Sequence, residues 1–281
     1  MRKIFAAILI VSSLFAYCDW NDDGIINILD IVATVEYILS GSGAPNCDWN
    51  GDDIVNILDI VATVECIITN CMDDDTVADI DGNIYQTVQI GDQEWMAENL
   101  KTTHYNNGDE IPTGWPSYDG AYAVYSNDPS NSEIYGNLYN WYAAVDDRGI
   151  CPAGWHVPTD EEWMELEMEL GMSYEDAHDF GYRGTDQGSQ LAGNANLWNS
   201  GQLVSTPAFG SSGFLALPGG YRISYGNYDF VGSIGYFWSS SESGSDIAWY
   251  RLLYYGTSGV VRIYYYKRCG FSIRCVSPVE S

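Results

Sequence analysis

Near the N-terminus, oxygen-bearing side chains recur at the spacing that encloses a hard divalent cation. In the stretch from Asp19 to Leu39 they fall at loop positions 1, 3, 5, 9 and 12 as Asp19, Asn21, Asp23, Asn27 and Asp30, with Gly24 at the sharp sixth position and the Ile25 carbonyl free at the seventh. Carboxylates and amides at those intervals wrap around Ca2+. The stretch from Asp48 to Ile68 repeats every ligand position with Asp48, Asn50, Asp52, Asn56 and Asp59, and places the Ile54 carbonyl seventh. A merely solvated acidic loop would scatter its carboxylates and would not predict a second copy in register. Two Ca2+ sites are therefore expected. The second is the weaker, because Gly51 sits at position four and Asp53 takes the place that needs a left-handed backbone, which Asp tolerates better than most residues.

The elements that must hold these ligands are two helices. Ile28-Leu29, Ile31-Val32, Val35 and Ile38-Leu39 recur at helical spacing after the first loop, and Ile57 to Ile68 repeats the pattern after the second. Two such helices bury little apolar surface, so Ca2+ is expected to supply much of the folding free energy of this part. The doubled EF-hand-like loop and helix resembles the type I dockerin family over residues 18–71. The resemblance implies docking onto a cohesin domain of a scaffold protein. The chain departs from the family pattern in the N-terminal position of the module, in the apolar pairs Ile28-Leu29 and Ile57-Leu58 where cohesin-reading polar residues often lie, and in the irregular second loop.

Residues 1–16 have the Arg2-Lys3 start, the Ile4–Val11 apolar run and the small-residue end at Ala16 of a secretory signal, which predicts export. A lipid anchor on Cys18 competes with cleavage after Ala16, and the bulky Tyr17 argues against it. No other apolar run is long enough to span a bilayer, so membrane insertion is not expected. With 39 acidic against 11 basic side chains the formal charge is −28, which makes nucleic acid and anionic membranes poor partners. Seven cysteines in an exported chain predict disulfides with one thiol left over. A Cys18–Cys71 bridge would clasp the two ends of the calcium-binding part and leave Cys47 and Cys66 as a second pair, though spacing alone does not fix the connectivity. No Cys-x-x-Cys occurs, which argues against zinc.

Residues 72–78 form an acidic linker, after which the chain is rich in Gly, Tyr, Trp, Ser and Asn. Residues 79–281 read as one domain with a single long helix, Thr159 to Leu170, opened by a Thr159-Asp160-Glu161-Glu162 capping box. The strand candidates are Leu215–Leu217, Ala248–Leu253, Val260–Tyr266 and Phe271–Val276. Further motifs are Asp81-Gly82-Asn83-Ile84-Tyr85, Gln93-Glu94-Trp95-Met96-Ala97-Glu98-Asn99-Leu100, Tyr135-Gly136-Asn137-Leu138-Tyr139-Asn140-Trp141, Cys151-Pro152-Ala153-Gly154-Trp155-His156-Val157-Pro158-Thr159, Phe237-Trp238-Ser239-Ser240-Ser241 and Gly270-Phe271-Ser272-Ile273-Arg274-Cys275-Val276. These resemble, in order, the Fibrobacter succinogenes major paralogous domain, a family related to the C-type lectin-like and formylglycine-generating-enzyme-like folds. The resemblance implies an α+β fold with paired chain ends, a Cys151–Cys275 disulfide and an unpaired Cys269. The expected architecture is thus a small all-α calcium-binding dockerin-like module followed by a C-type lectin-like domain with short strands and long loops.

Ten of the 22 tyrosines lie between Tyr221 and Tyr266 among Ser, Gly and Asn. That is the composition of an antibody paratope, in which Tyr offers contact area and a hydroxyl at low entropy cost. Tyr254-Tyr255 and Tyr264-Tyr265-Tyr266 cannot all point inward, since strand neighbours alternate faces. Tyr225, Tyr228, Tyr254, Tyr255, Arg262, Tyr264 and Tyr266 are the candidate ligand contacts, whereas Trp238 and Trp249 read as core anchors. An aromatic platform beside carboxylates suits a sugar, whose C–H face stacks while its hydroxyls hydrogen-bond. A surface protein is an equally compatible ligand. No catalytic residue is assigned: His104, His156 and His178 are isolated, and Gly210-Ser211-Ser212-Gly213 lacks the spacing of a nucleophile elbow. The expected function is ligand recognition outside the cell with attachment through the dockerin-like part; a structural surface protein and an enzyme of polysaccharide breakdown are the rival expectations.

Overall fold

The computed structural model describes residues 28–40, 54–69, 76–115 and 118–278. The chain divides into two compact units between Asp74 and Asp75. In the first, helices α1 (Ile28–Ser40) and α2 (Ile57–Thr69) touch each other. Equivalent positions of the two repeats share an environment: Thr34 and Thr63 are both buried, and Val32 and Val61 are both exposed.

The second unit is mixed α+β. In chain order it holds β1 (Thr76–Ala78), β2 (Ile84–Ile90), β3 (Gln93–Met96), β4 (Tyr122–Ala123), α3 (Ser130–Tyr135), β5 (Leu138–Tyr139), α4 (Trp141–Ala144), α5 (Asp160–Glu169), α6 (Tyr174–His178), β6 (Gly181–Arg183), α7 (Gln187–Leu191), α8 (Gln202–Ser205), β7 (Tyr221–Arg222), β8 (Tyr228–Asp229), β9 (Ile234–Gly244), β10 (Ile247–Tyr254), β11 (Val260–Tyr266) and β12 (Val276–Pro278). One sheet runs β1-β2-β3-β12 and the other β6-β11-β10-β9. Every pairing within these two sheets is antiparallel, and β12 returns to β3, placing Val276 opposite Trp95. The turn between β2 and β3 has two residues and needs a left-handed backbone, which Gly91 supplies at φ +62°.

Successive residues of β9 point to opposite sides of its sheet: Tyr236 and Trp238 join one buried cluster around Phe271, and Phe237 joins the other around Trp163. Two buried indole N–H groups are satisfied by backbone carbonyls: Trp238 Nε1 donates to Tyr139 O at 2.9 Å and Trp141 Nε1 to Ser239 O at 2.9 Å. Arg274 is fully buried without a carboxylate. Its guanidinium donates to Asn99 Oδ1, Met96 O, Phe214 O and Leu215 O, and burial pulls it down to about 9. It thereby ties the C-terminal run to the loop around Leu215.

Helix α5 lies where the capping box predicts, with Thr159 Oγ1 accepting from Glu162 N–H and Glu162 reaching back to Thr159 N–H. The sequence expectation of strands fails in two places. Leu215–Leu217 contributes only the Ala216 bridge to Ala192, because Leu215 has φ 54°, and Phe271–Val276 makes isolated bridges at Phe271 and Ser272, then runs without strand pairing past the buried Arg274, with regular strand only from Val276. The expectation of one helix misses five short ones of four to six residues, too short to show a helical period.

Candidate functional site

Charge builds the base of the site. Asp160 and Glu167 lie seven residues apart on α5, so both face the sheet, where Arg251 of β10 stands opposite Arg262 of β11. Arg251 Nη1 donates to Asp160 Oδ1 at 2.5 Å and its Nε to Glu167 Oε1 at 2.7 Å. Arg183 grips Glu167 through two donors at 2.7 and 2.8 Å, and Arg262 grips Asp160 through Nε and Nη2. Burial pushes the Asp160 carboxyl up, but the Arg262 and Arg251 guanidiniums outweigh it and hold the group below the ordinary carboxylate value. Burial pulls Arg183 below its usual value despite Glu167. The serine run after Trp238 completes the helix start: Ser241 Oγ accepts from Asp160 N–H at 2.9 Å, and Ser240 N–H donates to Pro158 O at 2.8 Å.

Above this clamp lies an aromatic surface. The Arg262 guanidinium sits 4.1 Å from the Trp249 ring, and its Nη1 also donates to His178 O and Asp179 O at the end of α6. Trp249 packs edge-on against Tyr264 at 5.5 Å, and Phe180 meets Tyr264 at 5.6 Å and Trp249 at 6.2 Å. Phe180 is 49 % exposed and Tyr264 41 %; Tyr266, on the same side of β11, is 57 % exposed. Tyr265, between them, turns into the core against Phe271. Trp249 is thus half-buried in a surface cluster and is not the core anchor that its residue type suggests, while Trp238 is fully buried. Phe180 escaped the sequence reading because it follows a five-residue helix, where no periodicity marks it.

The other tyrosines named from sequence lie elsewhere. Tyr254 and Tyr255 meet edge-on at 4.7 Å where β10 ends. Tyr225, 77 % exposed, tips the loop between β7 and β8, and Tyr228 O–H donates to Asn127 Oδ1 at 2.9 Å. The structure therefore brings together Arg262, Tyr264 and Tyr266 as one group and distributes Tyr225, Tyr228, Tyr254 and Tyr255 over two others.

The histidines are held in local contacts. His104 Nδ1 lies 2.5 Å from Asp81, whose carboxylate also accepts from Thr103 N–H, and His178 stacks on Tyr174 at 3.9 Å. His156 Nε2 lies 2.6 Å from Glu162 Oε1, the capping carboxylate of α5. The hydrogen bond to Glu162 raises His156; burial pushes Glu162 up, but His156 and the Thr159 N–H together hold it below its ordinary value. The raised His156 stabilises the fold fully below about 6.5 and loses that contribution as pH rises through its folded value, whereas the lowered Glu162 contributes above about 4.5 and loses it on acidification. Thermal melts should therefore show stability falling from pH 6 to pH 9, a loss that His156→Gln removes; an unchanged slope in His156→Gln would refute the pairing.

In the first unit, Asn56 Oδ1 accepts from Leu58 N–H at 2.8 Å and Asp59, fully buried, accepts from Asn56 N–H at 2.7 Å. Asn56 Nδ2 donates to Ile54 O at 3.0 Å. These hard oxygen donors suit Ca2+ in kind. Asp19, Asn21, Asp23, Ile25, Asn27, Asp48, Asn50 and Asp52 lie outside the described residues, as do Cys18, Cys47 and Cys71 and the side chains of Asp30 and Cys66. Val32, Leu39, Ile57, Leu58 and Val61 are exposed on the two helices.

Cys151 and Cys275 form a disulfide, and Cys269 is a buried free thiol that burial pushes up to about 11. Among the described residues no helix is long and apolar enough to cross a membrane. A family model, the Fibrobacter succinogenes major domain, matches residues 88–277. No curated protein and no solved structure matches the chain.

Proposed function

We propose, for a chain that belongs to the Fibrobacter succinogenes major domain family, the role of an exported two-part recognition protein. Its N-terminal repeats bind two Ca2+ ions and, as a dockerin-like module, anchor the chain to a cohesin or another scaffold protein. Its C-terminal unit, of C-type lectin-like architecture, binds an extracellular ligand, and a glycan is the ligand its chemistry favours. The observation that carries this reading is the exposed cluster of Phe180, Trp249, Tyr264 and Tyr266 standing on a fixed ionic base. Aromatic faces held rigid lose little freedom on binding and match the C–H face of a sugar ring. The Cys151–Cys275 disulfide supports export, since such bonds persist in oxidising compartments. The apolar residues exposed on α1 and α2 support a docking role for the first unit.

The whole chain is to be passed over a panel of polysaccharides and surface proteins, with and without a calcium chelator, and the ligand mass read after elution. Retention of intact glycan that drops about tenfold or more in Tyr264→Ala is expected, together with chelator-sensitive binding to a cohesin. Retention indifferent to Tyr264→Ala and Phe180→Ala would remove the recognition surface and favour a structural role. A shortened ligand would point to an enzyme.

A further inference from the structure

We infer that the pocket between the β7–β8 hairpin and the backbone around Asn127 is a separate binding site built for one acidic sugar ring, its carboxylate taken by Arg222; the inference rests on the reading that the C-terminal unit recognises glycans. The pocket encloses about 240 Å³ and is lined by Thr113, Tyr122, Asn127, Arg222 and Tyr228 among others. That lies below the roughly 300–1,000 Å³ of sites for drug-sized ligands, which limits the occupant to a single ring with its substituents.

Arg222 is the reason to expect an anion. In a chain with 39 acidic side chains against 11 basic ones, Arg148, Arg183, Arg251 and Arg262 all hold carboxylates, whereas Arg222, like Arg268 and the fully buried Arg274, makes no ion pair among the described residues, and of these three Arg222 alone lines this pocket. Its guanidinium lies 4.0 Å from the Trp115 ring and one nitrogen donates to Ile223 O at 3.3 Å, which leaves further donors in the planar fork. The stack is set in place deliberately: Trp115 Nε1 donates to Arg268 O at 2.8 Å, and a Cβ on Gly270 would come within 2.6 Å of the Trp115 ring and 3.1 Å of Arg222. The aspartates on the same loops are engaged locally, Asp128 by Ser130 and Asp229 by the Phe230 N–H.

The remaining lining suits a sugar. Tyr122 and Tyr228 offer aromatic walls, and the Tyr228 hydroxyl occupies Asn127 Oδ1, so the Asn127 amide nitrogen is turned to donating. Backbone strain is concentrated at the same place. Of the six non-glycine residues with positive φ among the described residues, Asn127 lines this pocket, Ser126 directly precedes it, Trp115 stacks on Arg222, and Phe230 follows β8 directly. Such strain persists where the surroundings over-determine it, commonly at ligand clamps. The net charge of −28 repels anions at long range, so binding here depends on the bidentate contact and shape.

Titration calorimetry of the whole chain with D-galacturonate and D-glucuronate, against D-galactose, D-glucose and acetate, tests the site. Saturable binding of a uronate at least about tenfold tighter than its neutral sugar and than acetate is expected, with a comparable loss in Arg222→Gln, the contribution of a charge-assisted bidentate contact. Asn127→Gly, which favours the left-handed backbone and so keeps the fold, should weaken the same uronate and decides the matter should Arg222→Gln fail to fold. Equal binding of uronate and neutral sugar, equal binding of acetate, or unchanged affinity in the variants would overturn the inference. Polymer retention through Tyr264 reads the other surface: its loss with uronate binding intact sinks that reading alone, and the converse result sinks the pocket alone.

Discussion

Replacing Glu167 by glutamine is expected to lower the stability of the C-terminal unit by about 3–5 kcal/mol, the cost of breaking a buried ion pair on one side. Glu167 has no exposed surface and receives Nε of Arg251 and two donors of Arg183. A glutamine amide of the same shape presents a donor to one of those guanidiniums and removes the negative charge that pairs with Arg183. Arg183, already depressed by burial, then faces Arg251 and Arg262 without a carboxylate of its own to offset the repulsion. Asp160 still holds Arg251 and Arg262, so the helix is loosened at its C-terminal half and kept at its start. Denaturant unfolding at neutral pH reads the loss as a lower midpoint at unchanged slope. A loss under about 1 kcal/mol would show that water or a neighbouring carbonyl replaces the carboxylate, and that the clamp is not the link between α5 and the sheet. The double variant Glu167→Leu with Arg183→Met should cost less than its two single changes added together, since it removes both charges of the pair at once.

The same clamp explains what could and could not be read from the sequence. Helix α5 was legible because its signals are local: Thr159 and Glu162 cap each other within one turn. Strand β11 was legible because Val260 to Tyr266 is β-branched or aromatic at every position but Arg262. Its alternation was only half legible. Arg262, Tyr264 and Tyr266 do share a side, but the sequence offered no sign that Arg262 is spent on Asp160, 102 residues away, and so supports the surface more than it faces a ligand. The segment from Phe271 to Cys275 looked like a strand by composition, yet tertiary contacts override that propensity: Phe271 bridges Tyr139 and Ser272 bridges Phe237, while Arg274 is drawn inward to four acceptors. The Arg222 pocket was invisible for a related reason. It is assembled from Tyr122, Asn127 and Arg222, which no spacing rule connects, with Trp115 stacked on Arg222, and the positive φ of Asn127 appears only in three dimensions. Glycine 270 was legible as part of a motif; its reason, the Trp115–Arg222 stack passing over it, was not.

Removing the Cys151–Cys275 bridge is expected to cost about 4 kcal/mol, within the roughly 2–5 kcal/mol seen for native disulfides. The bond closes a loop with a sequence separation of 124. For a loop of that length chain entropy alone gives nearly 5 kcal/mol, since the reduced unfolded chain gains all the conformations the bridge forbids. The native contacts at the site partly survive the loss, because the backbone on both sides is hydrogen-bonded independently: Met96 N–H donates to Cys275 O at 3.0 Å, and His156 and Val276 exchange N–H donors at 3.0 and 2.9 Å. The folded state should therefore keep its shape, and the effect should appear as a melting temperature lower by about 10 °C in Cys151→Ala/Cys275→Ala. Cys269 is no substitute partner, since it is buried, and the low thiolate fraction of a group pushed up to about 11 makes it a slow nucleophile for exchange. Reduction of the parent protein should consequently lower the midpoint as far as the double variant does. A double variant that melts with the parent would mean that the bridge restrains a part of the unfolded chain already held by residual structure. A variant that loses its near-ultraviolet dichroism altogether would mean that the hydrogen bonds flanking the bridge depend on it, and that the order of cause runs from the disulfide to the β3–β12 pairing.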